Sequence, residues 1–176
     1  HGADGPKALE KARYELCRQA DEASAEGYPI LVLSDRAVDA EHAPIPALLA
    51  TAGLHNHLVR ERKRTQVGLV LETAEAREGH HFALLIGYGA GAINPYLAID
   101  TLHQMVDEGA LEAGIDYAEA VEHYLKAIKK GVVKIMSKMG TSTVQSYRGA
   151  QIFEAIGLAP GFVARYFTST ASRIPG

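Results

Sequence analysis

The sequence has little cysteine, few aromatic residues and no long apolar run. Cys17 is the one cysteine among 176 residues, and tryptophan is absent. A lone cysteine excludes an intrachain disulfide and leaves no set of thiols for zinc or an iron–sulfur cluster. No apolar stretch reaches the roughly 20 residues that a membrane-spanning helix needs. We therefore expect a soluble protein of a reducing, cytoplasmic location, without a membrane partner.

An excess of charge of one sign is also missing. The 18 basic and 21 acidic residues give a formal net charge of -3, so the chain lacks the basic field that holds a nucleic-acid backbone. We expect no nucleic-acid partner. The length and the 47% hydrophobic content suit one domain with a sizeable core.

Short apolar runs alternate with amphipathic segments in the first part of the chain. The runs YPILVLSD, QVGLVLET and GAIN are typical of strands in a parallel sheet. Apolar residues at helical spacing predict helices before and between these strands, over residues 7–27, 43–64, 80–89 and 95–109. The pattern predicts an α/β fold with right-handed βαβ crossovers.

The second part of the chain has a helical pattern. It predicts a long helix over 115–140, a shorter helix within 141–157 and a helical turn within 159–167, with no clear strand. The small, polar residues 168–176 are typical of a linker. We predict an α/β core with three parallel βα units over 1–108 and a helical extension with a linker tail over 109–176, in one domain overall.

The glycine-rich stretch GYGAGA at residues 87–92 fits the loose form of a dinucleotide fingerprint. That fingerprint needs a strand directly before it and a helix directly after it. Here the pattern predicts a helix before it and a strand after it. We interpret the glycines as a helix end that lets the chain pack closely on the sheet.

Two pairs of histidines raise the question of a metal site. His80 and His81 are consecutive, so their rings point about 100° apart on a helix. His55 and His57, two residues apart, lie on nearly opposite faces. We predict no metal site, and in each pair one ring bonded in the core and one nearer the surface.

Polar residues follow the first two predicted strands. Ser34, Asp35 and Arg36 follow the first strand and Glu72 ends the second, at the edge of a parallel sheet where ligands and catalytic groups collect. These residues therefore have two interpretations, a functional one as part of a site and a structural one. In the structural interpretation, Asp35 caps the next segment and Arg36 pairs with a carboxylate such as Glu72.

The polar segment 129–149 also has two interpretations. Thr141–Thr143 can cap a helix and bind an anion there, whereas a polar interface with another protein segment explains the same residues. We favour the interface. No pattern predicts a nucleophile with its base, so we predict no catalytic, cofactor-binding or metal-binding residue.

Three long blocks, over 31–102, 136–158 and 166–176, resemble the large chain of glutamate synthase, in the later half of its central domain. They include LVLSDRAVDAEHAPIPALL and GHHFALLIGYGAGAINPYLAIDTL. The resemblance implies an oxidoreductase of ammonia assimilation that makes two glutamates from glutamine and 2-oxoglutarate. It implies FMN and a 3Fe–4S cluster in the full-length enzyme, and leaves the electron donor open between NADPH, NADH and ferredoxin.

For this piece, the resemblance implies a structural role that is not catalytic alone. The central domain links the glutaminase and FMN domains, which are its partners in the same parent chain. Its βα units then resemble part of a (β/α) barrel, with the residues after the second strand in the place of a phosphate-gripping loop. Glu75 and Glu78 there would repel phosphate, so no cofactor is expected in the fragment. Surfaces left apolar and exposed would favour a homo-oligomer.

The candidate residues for the domain interface or for structural loops lie in several polar segments. They are Ser34, Asp35, Arg36, Glu72, Arg77, His80, His81, Asn94, Tyr96, Lys138, Thr143, Gln145, Tyr147 and Arg148. The alternative function is that of a stand-alone α/β protein that binds a nucleotide or flavin phosphate at Gly87–Gly91 or Thr141–Thr143.

Overall fold

A computed structural model describes residues 5–174 and residue 176. Residues 1–4 and Pro175, which fall within the predicted ranges 1–108 and 109–176, lie outside this description. In chain order the described elements are α1 (Gly5–Ala25), β1 (Ile30–Ser34), α2 (Ala47–Arg60), β2 (Gly68–Glu72), α3 (Gly79–Gly87), β3 (Ala92–Asn94), α4 (Tyr96–Asp107), α5 (Tyr117–Lys138), α6 (Val144–Tyr147), β4 (Glu154–Ile156), α7 (Pro160–Tyr166) and β5 (Ala171–Ile174).

The first three strands form a parallel sheet in the order β1-β2-β3. The register pairs Val32 with Val70, and Val70 with Ala92, so β2 lies in the centre. Helix α2 connects β1 to β2, and α3 connects β2 to β3. These are the βα units that the apolar runs predict, and the α/β fold class is confirmed.

Helices cover one face of this sheet. Leu31 and Leu69 are buried in a cluster with residues of α1 and α2, among them Leu54. Leu71 is buried in a second cluster, with Phe82 of α3 and side chains of α5. Since alternate residues of a strand point to opposite faces, these leucines mark the covered face.

Two short strands lie in the region where the sequence predicted helices and a linker tail. β4 and β5 pair in parallel, with Glu154 opposite Ala171 and Ile156 opposite Ile174, and α7 lies between them in sequence. Their three and four residues contain no long apolar run, and of these only Ala155 is buried. Residues Ala171–Ile174 therefore form a paired strand where we expected a linker, whereas α5, α6 and α7 agree with the predicted helices.

The chain turns from α3 into β3 at Gly89. Its φ of +118° lies in the region that favours glycine, and a Cβ atom there would lie 2.4 Å from Nδ1 of His55. Gly91 follows, and its N–H donates to the carbonyl of Leu69 at 2.7 Å. A helix precedes these glycines and a strand follows them, which is the reverse of the order in a dinucleotide fingerprint.

Replacing Gly89 with alanine should destabilise the protein more than replacing Gly109. Both glycines have positive φ, +118° and +64°, and the backbone alone makes either replacement cost ~1 kcal/mol. A Cβ atom at Gly109 meets nothing within 4 Å, whereas at Gly89 it collides with His55 and adds ~1–3 kcal/mol. Urea unfolding measures both losses, and equal losses would contradict this role of Gly89.

Candidate functional site

A polar network lies at the carboxyl edge of the three-stranded sheet. The register places Ser34, Glu72 and Asn94 side by side at the ends of β1, β2 and β3. The Ser34 hydroxyl donates to Glu72 Oε2 at 2.6 Å, and the Asn94 amide donates to Glu72 Oε1 at 3.3 Å. Glu72 is therefore the common acceptor of the neighbouring strands.

Arg36 completes this network from the loop after β1. Its Nε donates to Glu72 Oε1 at 2.7 Å, which is the ion pair that the structural interpretation suggested. Its guanidinium carbon lies 3.9 Å from the ring centre of Tyr96, at the start of α4. The hydrogen bond from Ser34, followed by that from Arg36, holds the pKa of Glu72 below its usual value. The charges of the network thus stabilise one another.

Asp35 points to the turn after β2 and does not cap the segment that follows it. It accepts a hydrogen bond from the Thr73 hydroxyl at 2.7 Å and from the N–H of Ala74 at 3.0 Å. Thr73 is fully buried, and its hydroxyl oxygen accepts from the N–H of Glu75 at 3.1 Å. The strand-end loops are held together, with Asp35 as the link between them.

The carboxyl edge does not fit a flavin phosphate. A phosphate site needs backbone N–H groups that are free to donate and a positive local charge. The N–H of Ala47, at the start of α2, donates to Glu75 Oε2 at 3.0 Å, and that of Ala74 donates to Asp35. Carboxylates thus occupy donors that a phosphate would use.

An iron–sulfur cluster does not fit the chain either. Such a cluster of three irons needs several thiolates, and Cys17 is the one cysteine of the sequence. It is buried in the core, and burial raises the pKa of its thiol. Within 5–174 and residue 176, no group of three or more His, Cys, Asp or Glu side chains is placed to hold a metal ion.

The second group of candidate residues surrounds the start of α3. His81 is half-buried, and its Nδ1 accepts from the N–H groups of Arg77 at 3.2 Å and Glu78 at 3.4 Å, while Glu78 caps the helix in return. His80 is exposed. The carbonyl of Arg77 accepts from the Tyr124 hydroxyl at 3.0 Å. His81 and Arg77 thus join α3 to its neighbours.

The third group begins at the last residue of α5 and contains side chains in different environments. Lys138 lies exposed in the last turn of α5, and Thr143 caps α6 by accepting from the N–H of Ser146 at 3.2 Å. Tyr147 is fully buried and contacts Phe153 edge to face. Gln145 and Arg148 line a cavity at the opposite, amino edge of the sheet, described next. The candidate residues therefore form separate groups.

Sequence reasoning missed a cluster of basic side chains at the amino edge. His55 in the second half of α2, Arg64 before β2 and Arg148 after α6 line an open, shallow cavity of about 470 Å³. Arg64 Nε donates to His55 Nδ1 at 2.9 Å. His57 bonds separately to Asp21 at 2.8 Å. No local pattern points to this cluster, because its members come from three distant segments.

Replacing Glu72 with glutamine should destabilise the protein at neutral pH and matter less in acid. The lowered pKa of Glu72 means that its stabilisation is present above the usual carboxyl pKa and is lost as the pH falls below it. Thermal unfolding across that range measures the difference from the wild type. Glu61→Gln, at an exposed position, is the control for the lost charge. A Glu72→Gln effect that stays constant with pH would contradict the pairing.

Comparisons with known proteins give the family. Residues 3–159 match the glutamate synthase central domain family. The chain is 54% identical over 168 residues to the glutamate synthase (NADPH) large chain of Bacillus subtilis, which covers 96% of this chain and 11% of that protein. It is 44% identical over 174 residues to the glutamate synthase (NADH) of Schizosaccharomyces pombe, covering 99% and 8%. The chain thus spans a small part of these relatives.

Solved structures show the fold to which the chain is similar. A mutant flavocytochrome b2 with pyruvate bound has a TM-score of 0.57 at 15% identity, over 76% of this chain and 31% of that chain. DHODH in complex with ferulenol, from Eimeria tenella, has a TM-score of 0.53 at 15% identity, over 80% and 35%. Both are barrel enzymes, so the parallel βα units resemble part of a (β/α) barrel.

Among the described helices, none has the length and apolarity to cross a lipid bilayer.

The family match covers residues 3–159, and the Bacillus subtilis relative extends the similarity over 96% of the chain. The chain belongs to the glutamate synthase central domain family.

Proposed function

We propose that this chain is a central structural segment of a glutamate synthase large chain. In this role it links the glutaminase and FMN parts, which convert glutamine and 2-oxoglutarate to two glutamates, and it is not catalytic alone. The relatives that carry the name glutamate synthase extend far beyond it, since the chain spans 11% and 8% of two of them. The cytoplasmic location stays a prediction.

The observation that carries this proposal is the uncovered face of the sheet. Ile30 and Val32 of β1 are 57% and 60% exposed, although Leu31 between them is buried against helices. Val32 lies beside Val70 of β2, which in turn lies beside Ala92 of β3. A parallel sheet is normally covered on both faces, so this apolar face favours contact with further protein.

The edge of β1 points to the same kind of contact. In the described sheet β1 pairs with β2 on one side only, and a barrel closes when every strand has two neighbours. A cavity of about 490 Å³ beside β1 is lined by apolar residues that include Val38 and Pro44, and Val38 is 49% exposed. We propose that other strands of the parent chain pack on β1 and on the uncovered face.

The polar loops would then be contact surfaces around this face. We assign this role to the loops at Ser34–Arg36, Glu72–His81 and Lys138–Arg148. The network around Glu72 supports the assignment, because the hydrogen bonds from Ser34 and Arg36 fix the strand-end side chains in one geometry. The isolated chain should also self-associate through the uncovered apolar face.

The cofactors of the parent enzyme would lie outside this chain. A flavin is implied for the family by the glutamate synthase relatives and by the flavocytochrome among the similar structures. We place FMN and the 3Fe–4S cluster in other parts of the parent chain, because the carboxyl edge and the single cysteine fit neither group.

A chimera tests the proposed function. The matching segment of the Bacillus subtilis large chain, 54% identical, is replaced by this chain. The chimera should retain glutamine-dependent glutamate synthesis. The Val32→Lys variant of the chimera should have less of this activity, since the substitution places a charge on the contact face. This variant should still release glutamate from glutamine, but without a matching synthesis of glutamate from 2-oxoglutarate.

Val133→Lys is the matched control, because Val133 is 65% exposed on α5. It should leave both reactions near the unsubstituted level. An inactive chimera, or one in which Val32→Lys behaves like Val133→Lys, would contradict the proposal. Flavin absorbance in the purified chain of 176 residues would favour the alternative function.

A further inference from the structure

Two arginines line the cavity at the amino edge of the sheet, and within the described part of the chain their hydrogen bonds go to neutral groups. Arg64 donates through Nε to His55 Nδ1 at 2.9 Å, through Nη1 to the carbonyl of Val67 at 2.8 Å and through Nη2 to that of Gly89 at 2.9 Å. Arg148 donates through Nη2 to the carbonyl of Ala90 at 3.1 Å. These contacts fix the positions of both guanidinium groups.

Both guanidinium groups carry a positive charge. Among the residues that the structure describes, no carboxylate forms an ion pair with Arg64 or Arg148. Burial, followed by the charge of Arg148, lowers the pKa of Arg64. Partly buried charges are costly unless they are paired, so two neighbouring cations favour an anion between them.

His55 does not add a third charge. Burial, followed by the charges of Arg64 and Arg148, lowers its pKa to about 4, so the ring is neutral at pH 7 and accepts from Arg64. Protonation of the His55 ring would break this hydrogen bond and would add a positive charge beside the two arginines. The ring therefore positions the guanidinium of Arg64.

Arg148 also retains an unused donor. Its Nε is buried and has no hydrogen-bond partner among the described residues. A buried donor without a partner is rare in folded proteins. The cavity beside it is lined by polar groups, Thr65, Gln66 and Gln145. The side chain of Arg148 thus lines the cavity with one of its donors still without a partner among the described residues.

We propose that this cavity binds one carboxylate, held by Arg64 and Arg148. A planar guanidinium matches a carboxylate through two parallel hydrogen bonds. In the assembled protein the carboxylate is an Asp or Glu side chain of an adjoining segment, a step that rests on the proposed function. A protein side chain fits better than a substrate here, because in barrels ligands collect at the carboxyl edge and the amino edge serves stability.

Nitrogen-15 NMR of the arginine Nε–H groups tests the site in the isolated chain. Sodium acetate should shift the Arg64 and Arg148 signals to saturation, whereas sodium chloride at equal ionic strength should not. Arg148→Gln should weaken acetate binding at Arg64 about tenfold, and Arg148→Lys should weaken it as well, because lysine lacks the planar fork. Arg60→Gln, at an exposed position of α2, should bind as the wild type does.

Three results would overturn the assignment. Acetate shifts no larger than those of chloride would exclude the site, and equal weakening by Arg60→Gln would show a general charge effect. Saturation by inorganic phosphate at lower concentration than by acetate would assign the site to phosphate. Amide spectra that match the wild type show that the Arg148 variants remain folded.

The chimera described above tests the source of the carboxylate. Arg148→Gln should lower its thermal unfolding midpoint more than that of the isolated chain, since only the chimera supplies the acidic side chain. Equal losses would overturn an adjoining side chain as the source. A chimera without glutamate-forming activity would contradict the proposed function alone, and the acetate titration would still decide the site.

Discussion

Each face of a parallel sheet carries every second side chain of its strands, so each face needs a layer that packs on it. In the described residues one face has such a layer: Leu31, Leu69 and Leu71 are buried under the helices. On the other face Ile30 and Val32 are mostly exposed. The apolar contact between these leucines and the helices stabilises the three-stranded sheet. The other face lacks such a layer among the described residues, which is the ground for our proposal that the chain is one part of a larger protein.

The polar groups at the two edges of the sheet differ in how far their hydrogen bonds and charges are paired. At the carboxyl edge, Glu72 is surrounded by donors from the neighbouring strands, and Asp35 ties the loops together. These groups bond to one another, as expected of a rigid support. At the amino edge, Arg64 and Arg148 donate to neutral acceptors alone among the residues that the structure describes. Arg64 and Arg148 thus lie at the edge where we propose contact with an acidic side chain.

The sequence predicts the features that depend on neighbouring residues. The apolar runs around Val32 and Val70 are long enough to identify β1 and β2. Because Arg36 follows β1 and Glu72 ends β2, the sequence also indicates that these two residues lie close together at one edge of the sheet. The three-residue β3 was predicted from its place in the alternation of helices and strands. β4 and β5 were missed because the residues around them follow no such alternation, and the pairing between Glu154 and Ala171 depends on the fold of α7. The cluster of His55, Arg64 and Arg148 was missed because its members come from distant segments of the sequence, and only the packing of the fold brings them together.

The most direct test of the uncovered face is the reactivity of a thiol placed on it. Cys17 is buried, and burial raises the pKa of its thiol, so in Val32→Cys the new cysteine reacts first with a maleimide. We predict rapid labelling of the monomeric chain in dilute solution and strong protection when the same segment stands in a full-length large chain. Equal labelling rates in the two proteins would contradict the claim that neighbouring parts of the parent chain cover this face.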